Sequence, residues 1–194
     1  MSPTFIAFVV IGALTAVVGA VYAMQRGAKA AKLRAVPLVK LAEAQDGTRV
    51  RVCGVARALD KTIHAPLTGA PAVAATSEHW ETSSHGGRVR RIDRQVFATS
   101  FELDDASAVA RIATDHVDVL LTMKPAKPAT SGPGRVFGAS VIAANMTSAH
   151  ELLEGYVAPG GRVTVVGTVR RDAAGMIELF GTASAPVVVT DEVE

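Results

Sequence analysis

Phe5 to Met24 is a run of twenty residues without a charged side chain, FIAFVVIGALTAVVGAVYAM. A helix of that length, rising about 1.5 Å per residue, spans about 30 Å, the hydrocarbon thickness of a bilayer. Phe5, Ile6, Phe8, Val9, Val10, Ile11, Leu14, Val17, Val18, Val21, Tyr22 and Met24 carry its apolar surface. Gly12 and Gly19 are compatible with such a span, because a helix satisfies its own backbone groups. The competing reading is a cleaved signal peptide, with Val21-Tyr22-Ala23 as the cleavage site. The run is longer than a signal-peptide core, and Met1–Thr4 hold no basic side chain, so the pattern predicts a retained single-pass anchor. Arg26, Lys29, Lys32 and Arg34 follow directly. Basic residues beside a span stay on the cytoplasmic side, which predicts that the rest of the chain lies in the cytoplasm; the lack of a RING and of disulfides suits a bacterial inner-membrane protein. The same four side chains would meet anionic headgroups, each worth about 1 kcal/mol near the surface.

The charge balance sharpens this division. The chain carries 20 basic and 18 acidic residues, a net charge of +2. Residues 1–40 hold five of the basic residues and no acidic ones, so residues 41–194 are net −3. The excess of positive charge therefore belongs to the juxtamembrane stretch and is no argument for a nucleic-acid-binding domain. Apolar residues make up 49% of the chain and charged residues 20%, which excludes a disordered chain. The single cysteine, Cys53, excludes an intramolecular disulfide and every cysteine-rich zinc site.

After the anchor, GAKAAKLRA predicts a helix running on to about Ala35, which Pro37 interrupts. Leu38–Ala44 reads as a short second helix, ended by Asp46-Gly47. The period then changes from helix to strand. Arg49–Val55 alternates strictly, and Ala70–Glu81, Gln95–Leu103, Ala106–Ala113, Val117–Met123, Val136–Ala144, Arg162–Arg171, Met176–Gly181 and Ala185–Thr190 read as further strands. Asp104-Asp105 marks a hairpin and Asp172–Gly175 a turn. Lys124–Gly134, KPAKPATSGPG, reads as a Pro/Gly loop. Ser148–Gly155 is predicted helical, with Ser148 as N-cap and Glu151 at the capping-box spacing. One internal echo is informative: Val50-x-Val52-x-Gly54 returns as Val163-x-Val165-x-Gly167. A glycine at that point of a strand suits a place where a barrel strand bends or bulges. The predicted class is mainly β with minor α: a transmembrane helix at 1–35, then an OB-like small β-barrel with inserted loops over 36–190.

The same pieces carry a family resemblance. A membrane helix and a short helix precede a strand ending in Val52-Cys53-Gly54-Val55. Ala65-Pro66-Leu67-Thr68-Gly69-Ala70-Pro71-Ala72-Val73, Phe101-Glu102-Leu103-Asp104-Asp105 and the Glu154–Gly167 stretch EGYVAPGGRVTVVG follow. Over about residues 36–182 this order resembles the GIDE family, also called the BAM ("beside a membrane") domain, with Pro66, Leu67, Thr68 and Gly69 as its most specific match. The family includes mitochondrial E3 ubiquitin and SUMO ligases of the MULAN/MAPL type, in which a RING finger recruits the conjugating enzyme. The resemblance implies an E3-ligase-like protein, but this chain departs from the pattern. It has no second apolar span, ends soon after its last strand, and has one cysteine where a RING needs several ligands for two zinc ions. Ala72 also stands where the family often has cysteine. The implied role is then at most substrate recognition.

No residue pattern in the chain predicts catalysis, a metal or a cofactor. His79 and His85 flank Trp80 and Glu81, but two histidines six positions apart with no third ligand nearby are a poor match to known metal-site spacings; a polar strand end, with Trp80 packed on the barrel, is the simpler reading. Asp115-His116 lacks a nucleophile in a recognisable turn. Cys53 is expected to be a buried, inert thiol. Gly132-x-Gly134-x-x-x-Gly138 departs from the dinucleotide fingerprint and follows no strand. Arg88, Arg90, Arg91 and Arg94, in GGRVRRIDR, are the strongest hint outside the anchor, because an exposed basic loop can contact phosphate or acidic groups. The expected function is a membrane-anchored, non-catalytic binding or scaffold module that engages a protein or a lipid partner, with self-association open. An OB-type nucleic-acid binder is a weaker alternative, since single-strand binding also needs aromatic stacking platforms.

Overall fold

The computed structural model describes residues 31–82, 87–127 and 150–191. It divides the chain into two units, Met1–Val36 and Pro37–Glu194. Of the first unit, only residues 31–36 are described, and 31–34 are helical. The expected span Phe5–Met24 lies outside the described residues, among which no helix is long and apolar enough to cross a membrane.

The second unit is mainly β. Its strands are β1 (Arg49–Ala58), β2 (Ile63–His64), β3 (Pro71–Ala72), β4 (Ala74–Thr82), β5 (Arg88–Ala98), β6 (Phe101–Asp104), β7 (Val109–Ile112), β8 (Val117–Leu120), β9 (Lys124–Pro125), β10 (His150–Val157), β11 (Arg162–Arg171), β12 (Ile177–Phe180) and β13 (Val187–Thr190). Five of them close a small barrel in the order β1–β6–β7–β12–β11 and back to β1. All pairs in the ring are antiparallel except β7 with β12. Closure removes the sheet edges, and every second side chain points into the core. Phe101, Leu103, Ile112, Val163, Val165 and Leu179 are fully buried there. β13 pairs with the part of β11 that β12 leaves free and carries β8 beside it in parallel.

The two echoing strands prove to be neighbours. β1 pairs with β11 so that Val50 opposes Gly167 and Gly54 opposes Val163. The glycine in β1 has a steric cause: a Cβ on Gly54 would lie 2.6 Å from the Asp104 carbonyl oxygen of β6. No side chain fits there without moving backbone. The expected bend is thus a close approach between two barrel strands.

The insertions make a second sheet. β2 to β5 all fall between β1 and β6, and β8 to β10 fall between β7 and β11. β5, β4, β10 and β9 form a four-stranded sheet in that order. Its root joins the barrel core through Val73, Ala74, Val157 and Phe101.

Several expectations are corrected. Ser148–Gly155 is not helical: Ser148 lies outside the described residues, and from His150 the chain is strand β10, whose whole length pairs with β4. Leu152 and Leu153 are both buried because both faces of this sheet are covered, so cross-strand pairing overrides the local capping pattern. Leu38–Ala44 contains only a 3-10 turn at Leu41–Glu43. The strand expected at Ala70–Glu81 breaks at Val73, whose N–H donates to the Val157 carbonyl while its own carbonyl accepts from Thr99. The single strand expected at Gln95–Leu103 divides at Thr99-Ser100, where the chain leaves the second sheet for the barrel. Cys53 is not buried: Val50, Val52, Gly54 and Ala56 face inward, and Cys53 is half-buried on the opposite face. Of Lys124–Gly134, the described part includes strand β9, which pairs with β10. Val136–Ala144 and Gly132–Gly138 lie outside the described residues. Arg162–Arg171 and the Asp172–Gly175 turn stand as expected.

Candidate functional site

The family-like loop is a structural clasp. Pro66–Thr68 form a turn, and Gly69 takes a positive φ of 72°. The turn points two backbone N–H groups and a hydroxyl at one carboxylate. Glu154 Oε1 accepts from Leu67 N at 2.6 Å, and Oε2 accepts from Thr68 N at 3.2 Å and Thr68 Oγ1 at 2.5 Å. Glu154 is 4% exposed and Leu67 1%. Leu67 packs on Leu152, two residues before Glu154 on the same face of β10.

Arg88, Arg90, Arg91 and Arg94 do not form an open loop. They lie on β5, and each guanidinium meets a carboxylate. Arg88 bonds Glu151 at 2.5 and 3.0 Å, Arg90 bonds Glu81 at 3.2 Å, and Arg91 bonds Glu78 at 3.1 Å. Arg94 reaches Asp118 at 3.1 Å and the Val119 carbonyl at 2.6 Å, and lies 3.8 Å from Glu78. Antiparallel pairing sets acids of β4 opposite bases of β5, which is why the cluster is largely neutralised. Glu78 is buried and also accepts from the Trp80 indole at 2.8 Å, so Trp80 is packed in this sheet as part of a polar network. The Arg88 contact holds the Glu151 carboxyl below the usual range.

Opposite this network, on the face that carries Glu154, two histidines meet. His79 Nε2 lies 3.3 Å from His150 Nδ1, with ring centroids 5.0 Å apart and planes inclined by 55°. Burial pushes the His79 pKa down, the neighbouring His150 adds to the fall, and Asp93 opposes it. His85, the expected neighbour in sequence, lies outside the described residues.

The outer wall of the barrel carries its own charge row. Register places Arg57 (β1), Glu102 (β6), Arg111 (β7), Glu178 (β12) and Arg170 (β11) side by side, with signs alternating across five strands. Arg170 pairs with Glu178 and stacks on Phe180 at 4.8 Å; Arg57 turns to Asp104 at 2.5 Å. A hollow of about 110 Å³ beside Arg111, Arg170 and Met176 is well below the ~300 Å³ at which ligand pockets begin. Asp105, at the β6–β7 hairpin, ties that hairpin to the 3-10 turn: Oδ2 accepts from Leu41 N at 2.7 Å, and Oδ1 from Ser107 N, Ser107 Oγ and Ala108 N. Burial alone would raise its pKa, but these hydrogen bonds outweigh it and the net shift is downward.

Asp115 and His116 lie exposed in a turn. Lys32 and Arg34 are exposed on the helical stretch of the first unit, while Arg26 and Lys29 lie outside the described residues. Among the described residues no group of three His, Cys, Asp or Glu is placed to hold a metal. Sequence reasoning missed Glu154, Glu78, Asp105 and His150. Their partners lie from 2 to 87 positions away, and only the Asp105 hairpin left a local signal. Comparison of the chain with protein-family models, with curated proteins and with solved structures found no match.

Proposed function

We propose that this chain is a membrane-anchored, non-catalytic binding or scaffold module of the BAM type, holding an OB-like barrel beside the bilayer to engage a protein or lipid partner. The observation that carries the reading is the uncharged run Phe5–Met24 with Arg26, Lys29, Lys32 and Arg34 directly behind it, a dozen residues before the barrel unit begins at Pro37. The OB reading is supported by the ring order β1–β6–β7–β12–β11 and by its single parallel pair, in a five-stranded Greek-key barrel with long insertions after the first and third strands.

A binding role is favoured over catalysis because the most prominent charged groups among the described residues are engaged with one another. Glu154 closes a loop, the arginines of β5 face acids, and the barrel wall alternates in sign. The same pairing argues against single-stranded nucleic acid, as does the burial of Phe101 and Trp80, which leaves Tyr156 as the one large exposed aromatic among the described residues. An E3-type role survives only as substrate recognition for a partner that carries the RING.

The test joins fractionation to topology. The full chain should stay in the membrane fraction after an alkaline carbonate wash, and a chain lacking residues 5–24 should not. A fluorescent protein fused after Glu194 should be active and an alkaline phosphatase silent. Release of the full chain by carbonate would refute the anchor. An active phosphatase would keep the anchor but move the partner to the far side of the membrane.

A further inference from the structure

We propose that His79 and His150 are protein ligands of a site for a divalent transition-metal ion, with zinc as the representative, on the face of the β4–β10 sheet that also carries Glu154. The geometry points there first. Zinc–nitrogen bonds of about 2.0–2.1 Å at a tetrahedral angle put two ligated nitrogens about 3.3 Å apart. His79 Nε2 and His150 Nδ1 stand 3.3 Å apart. Without the ion, the same spacing serves a hydrogen bond in which one ring donates to the other. Imidazole suits zinc, copper and nickel and does not suit magnesium or calcium, which sets the class of ion.

The surroundings supply what such an ion needs next. Asp93 of β5 is the register partner of His79. One of its oxygens accepts from Gln95 Nε2 at 3.0 Å, and the other has no partner among the described residues. Ser77 lies two residues before His79 on the same face, with Gln95 opposite it. Ser77 Oγ and Gln95 Oε1 are buried and have no hydrogen-bond partner among the described residues. Buried polar atoms are seldom left so, and ordered water on this face would satisfy both. Glu81 and Arg90, paired at 3.2 Å, close the outer end of the face. Among the described residues no third protein ligand completes the set, so the ion would keep positions open to water.

The test uses the full chain in detergent, stripped with a chelator and titrated with zinc sulfate. Calorimetry should find one equivalent at micromolar affinity. The ring resonances of His79 and His150 should shift together, while those of His64 and His116 stay in place. His79→Ala and His150→Ala should each weaken binding at least tenfold, and Asp93→Asn, which leaves both rings in place, by about tenfold. Circular dichroism checks that each variant is folded; if the alanine variants are not, the wild-type resonances and Asp93→Asn still decide. No saturation below about 1 mM zinc, or shifts confined to other histidines, would overturn the site and leave a plain hydrogen-bonded pair.

Discussion

Glu154→Ala removes the acceptor of three hydrogen bonds at once, and its cost can be worked from the geometry. Leu67 N is buried, so losing its 2.6 Å partner leaves an unsatisfied donor, at about 1–3 kcal/mol. Thr68 is exposed, so its N–H and hydroxyl recover water and together lose about 1 kcal/mol. The expected total is about 2–4 kcal/mol. Glu154→Gln keeps an oxygen for Leu67 N, and its amide can donate to the Thr68 hydroxyl, so only the Thr68 N–H contact is lost, at about 1 kcal/mol. Urea unfolding followed by the fluorescence of Trp80, the only tryptophan, measures both. With a slope of about 2 kcal/mol per molar, Glu154→Ala should lower the midpoint by about 1–2 M and Glu154→Gln by about 0.5 M. A double-mutant cycle with Thr68→Val should return a coupling of about 1–2 kcal/mol. If Glu154→Ala unfolds within about 0.5 kcal/mol of wild type, the Pro66–Gly69 turn closes without the carboxylate and the clasp is refuted.

Gly54→Ala drives a methyl group into the Asp104 carbonyl at 2.6 Å and should cost about 2–3 kcal/mol by the same urea assay, whereas Gly47→Ala, which meets only open space and strains φ alone, should cost about 1 kcal/mol. Asp105 has a depressed folded-state pKa, so its contribution is present above the unfolded value of about 3.9 and is lost as pH falls through the folded value. Asp105→Asn should therefore lower stability at pH 7 and flatten its fall below about pH 4, and an unchanged acid limb would discount these hydrogen bonds. Arg94→Ala severs the link from β5 to Asp118 and the Val119 carbonyl and should cost about 1–3 kcal/mol, with a shift in Trp80 emission through Glu78; Arg90→Ala, at an exposed pair, should change stability by less than about 0.5 kcal/mol.

Where neighbours along the chain decide the outcome, the sequence was enough. The period-two alternation at Arg49–Val55 and Arg162–Arg171, the turn at Asp172–Gly175 and the hairpin at Asp104-Asp105 follow from local backbone chemistry, and together with the repeated V-x-V-x-G they determined a small β-barrel. The anchor expectation likewise rests on sequence alone, since length and lack of charge are properties of the run itself. Tertiary structure decided the rest. Leu152 and Leu153 read as well in a helix as in a strand, and only β4 alongside them selects the strand. Four arginines in seven residues read as an open basic patch until β4, β8 and β10 set Glu78, Glu81, Asp118 and Glu151 against them. Glu154 meets Leu67 across 87 positions, and His79 meets His150 across 71. Strand register creates such partnerships, and register is a property of the assembled sheet that no window of adjacent residues contains.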